Sequence, residues 1–283
     1  MVKAREERDG TPVIPIVEGG PLVERLDAAL AALGGADSAA LATDGDGTLW
    51  TDDIGEALFE AILQRALVGS DALAPLLAEA AAHDVAMPSN PSAVDAARTL
   101  WNSYVARGYP EDRMCAAMAW CGAGNRYDLY EELSVEVLES SFDLRRHLIR
   151  EAAHVLQWAE KRALPVFLVS ASPRVVVERA AAMIAVEYGI TKPVVLAMTP
   201  LVDGGVMRPT LVGAWTYGEG KVDALSVELA VGQRRLVGAM GDNVFDAPML
   251  RAACVPIAIR PKPALVNVAT SVPGLVRAAI VGA

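Results

Sequence analysis

The sequence predicts an α/β fold, in which helices cover both faces of a mainly parallel β-sheet and a helical segment is inserted after the first core strand. In the C-terminal half, short apolar runs alternate with helical repeats, which is typical of parallel strands joined by helices. From Asp53 to about Arg150 the repeats are almost wholly helical and interrupt this alternation. We therefore expect a three-layer core formed by residues 1–52 and 151–283 and a separate helical domain of residues 53–150.

The composition indicates a globular protein with a sizeable core and leaves room for a small phosphorylated ligand. Hydrophobic residues make up 53% of the 283 residues, yet no run approaches the ~18 apolar residues of a membrane span. The net charge of −10 argues against nucleic acid as a partner, because phosphate backbones attract basic surfaces. The N-terminal residues alternate charges without the apolar stretch of a secretory signal, so we expect a cytoplasmic protein. The sequence indicates no particular oligomeric state.

Two elements precede the helical segment. The stretch PLVERLDAALAALGG predicts a helix with Pro21 in its first turn and the pair Gly34-Gly35 at its end. The stretch SAALATD predicts a short buried strand that ends at Asp44. Within the segment itself, MPSNPS and GYPED divide the helical pattern into several pieces.

Strands and helices alternate after the segment. LPVFLVS predicts a strand that ends at Ser170, and the next helix has Ser172 as its N-cap, Pro173 in its first turn and Gly189 past its end. Two further strands, PVVLAM and GVMRPTLV, are joined by a turn within TPLVDG. The remaining predicted elements are the helix GKVDALSVELAV, the strand RRLVGAMGD, the helix VFDAPMLRAA and a final strand CVPIAI.

The stretch LATDGDGTLW places two aspartates, Asp44 and Asp46, two positions apart at the end of the first core strand. Like charges this close repel, so a cation or separate chemical roles usually accompany them. A simple Asp-Gly turn is one interpretation. A calcium loop of the EF-hand type is excluded, because the positions that need Gly and Glu hold Leu49 and Gly55.

Three predicted strand ends carry polar side chains, and ligands bind outside the carboxyl ends of the strands in sheets of this kind. The candidate side chains are Asp44, Asp46, Ser170, Asp242 and Asp246, together with Lys221 at the start of a helix. Carboxylates that bind Mg²⁺, a hydroxyl, a helix N-terminus and a lysine together suit a phosphoryl group. In that setting the two neighbouring aspartates take different roles, because Asp44 shares the Mg²⁺ while Asp46 exchanges protons.

The motifs DGDGTL, VSAS, Lys221 and GDNVFD, in this order, resemble the four motifs of the haloacid dehalogenase superfamily. The phosphoserine-phosphatase-like branch is the most similar, and RPKPAL is similar to the Lys-Pro segment of that branch. The resemblance covers about residues 38–52 and 160–265. It implies a Rossmann-like core with an inserted all-helical cap at residues 53–150. An aspartate two positions after the first is present in the phosphatases of this superfamily and absent from its dehalogenases.

The resemblance also implies the catalytic and metal-binding residues. Asp44 is then the nucleophile, which forms an aspartyl-phosphate, and Asp46 protonates the leaving oxygen and later activates water. Mg²⁺ binds Asp44, Asp242 and the backbone carbonyl of Asp46, and Asp246 orients these ligands. The implied cofactor is therefore Mg²⁺.

Phosphate and substrate contacts follow from the same resemblance. The residues implied in phosphate binding are Ser170, Ala171 through its backbone N–H, Lys221 and Thr48, which supports the loop. Phosphoserine phosphatases carry a glutamate soon after the first motif, which binds the amino group of the substrate. The matching region here reads TDDIGE, so Asp53 and Glu56 are the candidates for substrate specificity.

The implied function is a Mg²⁺-dependent phosphatase that acts on a small phosphorylated metabolite. Two alternatives stay open. A phosphotransferase of the same superfamily would pass the phosphoryl group to an alcohol, and a catalytically silent relative would only bind a phosphorylated metabolite. The intact pair of Asp44 and Asp46 disfavours the silent relative, because binding alone needs no acid-base carboxylate.

Overall fold

The structure, a computed structural model, describes residues 12–279 and contains one eight-stranded sheet. The strands are β1 (Ile16–Glu18), β2 (Ala39–Thr43), β3 (Val166–Pro173), β4 (Val194–Asp203), β5 (Val206–Val212), β6 (Arg235–Gly241), β7 (Val255–Ala258) and β8 (Val276–Ala279). Their order across the sheet is β1-β8-β7-β6-β2-β3-β4-β5. All neighbouring strands are parallel except β4 and β5, which form an antiparallel hairpin.

Helices connect the strands and fill the long segment between β2 and β3. They are α1 (Gly19–Ala32), α2 (Ile54–Gln64), α3 (Leu73–Ala82), α4 (Ala93–Val105), α5 (Glu111–Trp120), α6 (Asp128–Glu136), α7 (Leu144–His147), α8 (Arg150–Glu160), α9 (Arg174–Tyr188), α10 (Glu219–Gly232), α11 (Ala247–Arg251) and α12 (Pro263–Asn267). A short π-helix, Val137–Ser141, continues α6. No helix within residues 12–279 is both long and apolar enough to cross a membrane.

The sheet has an apolar cluster on each face, and alternate residues of β2 contribute to the two clusters. Ala39 and Leu41 pack with α1, α8 and α9, whereas Ala40 and Ala42 pack with α10, α11 and α12. This alternation follows from the two-residue repeat of a strand. A five-residue strand that is buried along its whole length therefore serves both faces. The predicted α/β core, with helices on both faces of a mainly parallel sheet, is confirmed.

The inserted helices α2 to α7 join the same apolar cluster as α1, α8 and α9. Leu58, Leu100 and Met114 of the insertion belong to one cluster with Leu41 of the sheet. Helix α5 packs against β3, β4 and β5, and α2 packs against α9. The helical character predicted for this segment is confirmed, while its division from the core at residues 53 and 150 stays a prediction.

Two strands at one side of the sheet were not predicted from the sequence. Strand β8 follows β7, so CVPIAI is not the last strand, and β1 pairs with β8 at the edge of the sheet. These strands have three and four residues, which is too short for an alternating apolar pattern to stand out.

Two local predictions also need correction. Ser172 is not the N-cap of α9, because β3 continues to Pro173 and the Ser172 hydroxyl donates to Asp46 instead. Strand β4 runs through most of TPLVDG to Asp203, and the chain turns at Gly204-Gly205. Both of these glycines have positive φ angles, which residues with a side chain rarely adopt.

Candidate active site

The polar strand ends that the sequence predicts meet at one edge of the sheet. Strand β2 lies between β3 and β6, and all three are parallel, so their carboxyl ends are adjacent. A cavity of about 70 Å³ opens there. It is lined by Asp44, Asp46, Asp53, Glu111, Cys115, Ala171, Ser172, Tyr217, Lys221, Asp242, Asn243, Phe245, Asp246 and Lys262.

Three buried carboxylates, from Asp44, Asp242 and Asp246, form a cluster beside this cavity. One oxygen of each lies within 4.8 Å of the others. The ammonium group of Lys221 lies between two of them, with Nζ 2.6 Å from Asp44 Oδ1 and 2.6 Å from Asp246 Oδ1. Lys262 Nζ lies 2.9 Å from Asp242 Oδ2. The two lysines therefore offset part of the negative charge of the cluster.

Burial and neighbouring charges shift the pKa values of the carboxylates and of Lys221. Burial, together with the neighbouring carboxylate of Asp246, raises the pKa of Asp44 well above its usual range, although Lys221 opposes this. The same two causes raise the pKa of Asp242 to about 6. Burial favours the neutral form of Lys221, but the charges of Asp246 and Asp44 outweigh it and raise the pKa of the lysine. Lys221 is therefore a permanently charged group in a buried place.

The backbone fixes the position of the cluster. Oδ2 of Asp246 accepts the backbone N–H groups of Asp242 and Asn243, both at 3.0 Å. Gly47, with a φ of 83°, brings the loop after β2 so close to Asp242 that a Cβ atom at this position would overlap the Asp242 carboxylate. Only glycine accommodates both the backbone angle and the close approach.

The donor set of the cluster fits a divalent cation such as Mg²⁺. All three side chains offer carboxylate oxygens, the ligand type that Mg²⁺ prefers, and their charge exceeds that of the two lysines. Asp44 and Asp242 are the side chains that would hold the ion. Asp246 is engaged by Lys221 and by two backbone N–H groups, as a residue that orients the other ligands would be. The backbone carbonyl of Asp46 stays the predicted further ligand.

The hydrogen-bond donors to Asp46 are neutral groups, although the carboxylate of Asp53 lies near enough for the charge of Asp46 to raise its pKa. Oδ1 accepts the indole N–H of Trp50 and the backbone N–H of Ile54, both at 2.8 Å. Oδ2 accepts the hydroxyl of Ser172 at 2.8 Å and lies 3.3 Å from the hydroxyl of Ser170. The Asp46 side chain is therefore held apart from the carboxylate cluster, although it lines the same cavity.

The residues predicted to contact phosphate lie at different depths. Ala171 and Lys221 line the cavity. Ser170 is fully buried behind them, its hydroxyl accepts the N–H of Ser172 at 3.1 Å, and it stays a predicted phosphate contact. Thr48 is also fully buried, and its hydroxyl has no hydrogen-bond partner among the described residues.

The two candidate specificity residues differ in position. Asp53 lines the cavity and caps α2 by accepting the N–H of Glu56 at 2.9 Å. Burial and the nearby Asp46 raise the pKa of Asp53 well above its usual range. Glu56 does not line the cavity, and its side chain accepts the hydroxyl of Tyr104 at 2.8 Å. The structure thus brings Asp53, rather than Glu56, to the site.

Several site residues were missed by the sequence analysis. Lys262 belongs to the RPKPAL segment, whose likeness to a Lys-Pro segment was its only signal. Glu111 reaches the mouth of the cavity from the start of α5, and the rings of Tyr217 and Phe245 pack with centroids 4.4 Å apart in the cavity wall. No local pattern marks Glu111 or Tyr217, whose positions depend on how distant segments pack, whereas Phe245 lies within the GDNVFD motif.

Comparison with known proteins gives a family and a set of similar folds. The family model of haloacid dehalogenase-like hydrolases matches residues 41–251, which hold nearly all the residues of the site. No curated protein matches the sequence.

Solved structures resemble the fold at low sequence identity. A protein of unknown function from Bordetella pertussis Tohama I has a TM-score of 0.63 at 20% identity, over 86% of this chain and 98% of that one. A HAD family hydrolase from Salmonella enterica serovar Typhi has a TM-score of 0.52 at 12% identity, over 86% and 67% of the two chains. A phosphoserine phosphohydrolase-like protein from Francisella tularensis has a TM-score of 0.50 at 13% identity, over 83% and 94%. At these identities the likeness is one of fold.

Proposed function

Because the chain belongs to the haloacid dehalogenase-like hydrolase family, we propose that it is a Mg²⁺-dependent phosphatase that hydrolyses a small phosphomonoester through an aspartyl-phosphate on Asp44. The main support for this proposal is that two carboxylates with different hydrogen-bond partners, Asp44 and Asp46, line the same cavity. Asp44 lies in a cluster of charged groups with Lys221, and Asp46 lies among neutral hydrogen-bond donors. Covalent phosphoryl transfer with acid-base assistance needs one carboxylate of each kind.

Asp44 is the residue suited to attack phosphorus. Its Oδ1 is held at 2.6 Å from Lys221 Nζ, and the same ammonium group neutralises the charge that a bound phosphate brings. When bound, Mg²⁺ would offset further phosphate charge and shield the nucleophile from repulsion. Asp46 is the residue suited to give a proton to the leaving oxygen and later to take one from water.

The lining of the cavity restricts the substrate. Six of its side chains are carboxylates and two are ammonium groups, and both ammonium groups already contact carboxylates. A substrate with a second negative charge besides its phosphate would therefore be repelled. We expect a small ester with a neutral or positively charged alcohol part. As the predicted cap, the inserted helices would exclude water while the phosphoryl group is transferred.

Release of inorganic phosphate from p-nitrophenyl phosphate tests the proposal. The purified protein should release phosphate with Mg²⁺ and lose this activity in EDTA. Added alcohols distinguish the phosphotransferase, which would form a new ester at the expense of inorganic phosphate. Protein that binds phosphate but hydrolyses neither this ester nor any member of a phosphomonoester panel would instead be a silent relative, and the proposal would be wrong.

A further inference from the structure

The two oxygens of the Asp46 carboxylate have chemically different partners. Oδ1 accepts two N–H groups, from the Trp50 indole and the Ile54 backbone, at 2.8 Å each. Oδ2 faces two hydroxyls, from Ser172 at 2.8 Å and Ser170 at 3.3 Å. An N–H group can only donate, whereas a hydroxyl can donate or accept. A proton on Oδ1 would therefore point at two donors, while a proton on Oδ2 can be accepted by a hydroxyl that rotates.

We propose that Trp50 and Ser172 are positioning residues that make Oδ2 the one oxygen of Asp46 through which protons pass. The inference rests on the proposed function, because it needs Asp46 to act as acid and base. Trp50 occupies Oδ1 and holds the plane of the carboxylate. Ser172 accepts a hydrogen bond from protonated Oδ2 and donates one to Oδ2 when the carboxylate is charged.

In the proposed reaction, Oδ2 of Asp46 gives up one proton in the first half-reaction and takes one back in the second. In the first half-reaction the proton on Oδ2 moves to the ester oxygen, as the bond from phosphorus to that oxygen breaks and the bond from phosphorus to Asp44 forms. In the second, water attacks phosphorus, one water proton moves to Oδ2 and the bond from phosphorus to Asp44 breaks. Asp46 ends the cycle protonated, as it began, and the Ser172 hydroxyl keeps its own proton throughout.

The burial of the four partners supports this assignment. Asp46 and Ser172 line the cavity, whereas Trp50 and Ile54 at Oδ1 and Ser170 at Oδ2 do not and are fully buried. The N–H groups therefore approach Asp46 from the protein interior, and Ser172 approaches it from the side that a substrate would reach. A proton on Oδ2 therefore has one partner in the cavity lining, whereas a proton on Oδ1 has none.

The same contacts tie Asp46 to the start of the inserted helices. Ile54, whose N–H contacts Oδ1, is the first residue of α2. The next residue is Gly55, where a Cβ atom would lie 2.7 Å from Ser172 Oγ and 3.0 Å from Pro173 Cδ. Glycine thus allows α2 to come close enough for Ile54 to reach Asp46. The carboxylate is held jointly by the loop after β2, by β3 and by α2.

Two matched pairs of variants test the inference. Ser172→Ala removes the hydroxyl at Oδ2, and its control is Ser134→Ala, which removes a fully buried hydroxyl that donates to the Tyr130 carbonyl. Trp50→Phe removes the N–H at Oδ1, and its control is Trp158→Phe, which removes a buried indole N–H that donates to Asp27. The probes are phenyl phosphate, whose leaving group needs a proton, and p-nitrophenyl phosphate, whose leaving group needs one far less.

We expect Ser172→Ala and Trp50→Phe to slow the burst of phenol from phenyl phosphate by at least ~10-fold, with little change in KM. The burst of p-nitrophenol should slow by less than ~3-fold, because that step depends little on the acid. Both controls should keep the wild-type ratio of the two rates even if they lower the thermal midpoint.

A merely structural role of Ser172 and Trp50 would slow both esters equally, and that result would overturn the inference. The inference would also be wrong if Ser172→Ala and Trp50→Phe had the same ratio of phenyl phosphate to p-nitrophenyl phosphate rates as their control variants. In both cases the wild-type protein still hydrolyses the esters, so the proposed function stands. Wild-type protein that hydrolyses neither ester would instead remove the proposed function, and the inference with it.

Discussion

Asp44 and Asp46 belong to one short loop, yet their surroundings have almost nothing in common. Around Asp44 the groups are charged, namely Lys221 at 2.6 Å and the carboxylates of Asp242 and Asp246. The hydrogen-bond partners of Asp46 are neutral, namely one indole, two hydroxyls and one backbone N–H, and the carboxylate of Asp53 is its charged neighbour. The difference arises because the two side chains leave the loop toward different strands, β6 in one case and β3 in the other.

The comparison shows how one residue type can serve two chemical purposes in a single cavity. A carboxylate beside a lysine and a bound cation would be ionised despite its burial, which suits the nucleophile proposed for Asp44. A carboxylate that contacts hydroxyl groups can take up or release a proton easily, because each hydroxyl can either donate or accept a hydrogen bond. Each of the predictions below tests one side of this contrast.

Replacing the proposed nucleophile, Asp44, should have the largest effect. Asp44→Asn is expected to lower turnover by at least ~10⁴-fold and to abolish the burst of p-nitrophenol, because an amide is a poor nucleophile and a weaker Mg²⁺ ligand. Asp52→Asn, in the same loop but exposed, is the control and should remain active. Burst kinetics with p-nitrophenyl phosphate measure both variants. A normal burst in Asp44→Asn would show that another residue is phosphorylated.

Replacing the acid-base residue should have a smaller and more selective effect. Asp46→Asn leaves Asp44, the metal ligands and the backbone carbonyl of residue 46 in place, and removes proton transfer, which is worth typically ~10²–10⁴-fold. We expect a burst of p-nitrophenol followed by a slow steady rate, because the intermediate then lacks a base to activate water. Mass spectrometry of the trapped protein should place the phosphoryl group on Asp44. If it lies on Asp46, the two roles are reversed.

Most of the charged half of the site, the groups around Asp44, could be predicted from the sequence, since three aspartates follow predicted strand ends and Lys221 begins a predicted helix, whereas Lys262 was missed. Asp44, Lys221, Asp242 and Asp246 all meet as the parallel sheet requires. The neutral half, which is Asp46 with its hydrogen-bond donors, could not be predicted to the same extent. Trp50 contacts Asp46 only because the loop after β2 folds back on itself, with the Gly47 N–H bonded to the Trp50 carbonyl at 2.7 Å.

Ser172 shows why a local sequence pattern did not predict the partners of Asp46. A serine before a proline at the start of a helix is a common N-cap, and the sequence analysis interpreted it so. The structure keeps Ser172 in β3, where its hydroxyl donates to Asp46, and Gly55 leaves room for that hydroxyl beside α2. A contact between residues more than a hundred positions apart has no signal in a single sequence.

Mg²⁺ should stabilise the charged half in a pH-dependent way. The pKa of Asp242 is raised to about 6, mainly by burial and by Asp246. A carboxyl with a raised pKa in the folded state contributes stability below its unfolded pKa of about 3.9, and this contribution is lost as pH rises through about 6. Mg²⁺ binds the ionised form, so it should raise the midpoint of thermal unfolding more at about pH 7.5 than at about pH 5.

The size of this effect follows from mass action. With Mg²⁺ at 100 times its Kd the gain is about 2.7 kcal/mol, or roughly 5–10 °C in the midpoint. Asp242→Asn should lose most of the response, and Asp203→Asn, at the exposed end of β4, should keep it. Differential scanning fluorimetry at the two pH values measures the shifts. Equal shifts at both pH values would contradict a site built on Asp242.

The smallest expected effect concerns the substrate. The cavity lining has six carboxylates against two lysines, and Glu111 adds its charge at the mouth, where solvent weakens it. The wild-type protein should therefore hydrolyse 2-aminoethyl phosphate with a kcat/KM about 10-fold above that for phosphoglycolate, an anionic ester of similar size. Glu111→Gln should reduce this preference by ~3-fold, because it removes one of the repelling charges and leaves the others.

Asp112→Asn is the matched control for that change, since Asp112 is the next residue of α5 and does not line the cavity. It should leave the preference between the two esters unchanged. Steady-state assays of phosphate release, run at low and high salt, measure the ratio. Salt should weaken the contribution of Glu111 most, because it is the exposed carboxylate of the lining. Phosphoglycolate hydrolysed as fast as the aminoethyl ester would mean that the acidic lining does not select the substrate. The charged half of the site would then act only on the phosphoryl group, and the alcohol would have to be chosen by the shape of the wall around Tyr217 and Phe245.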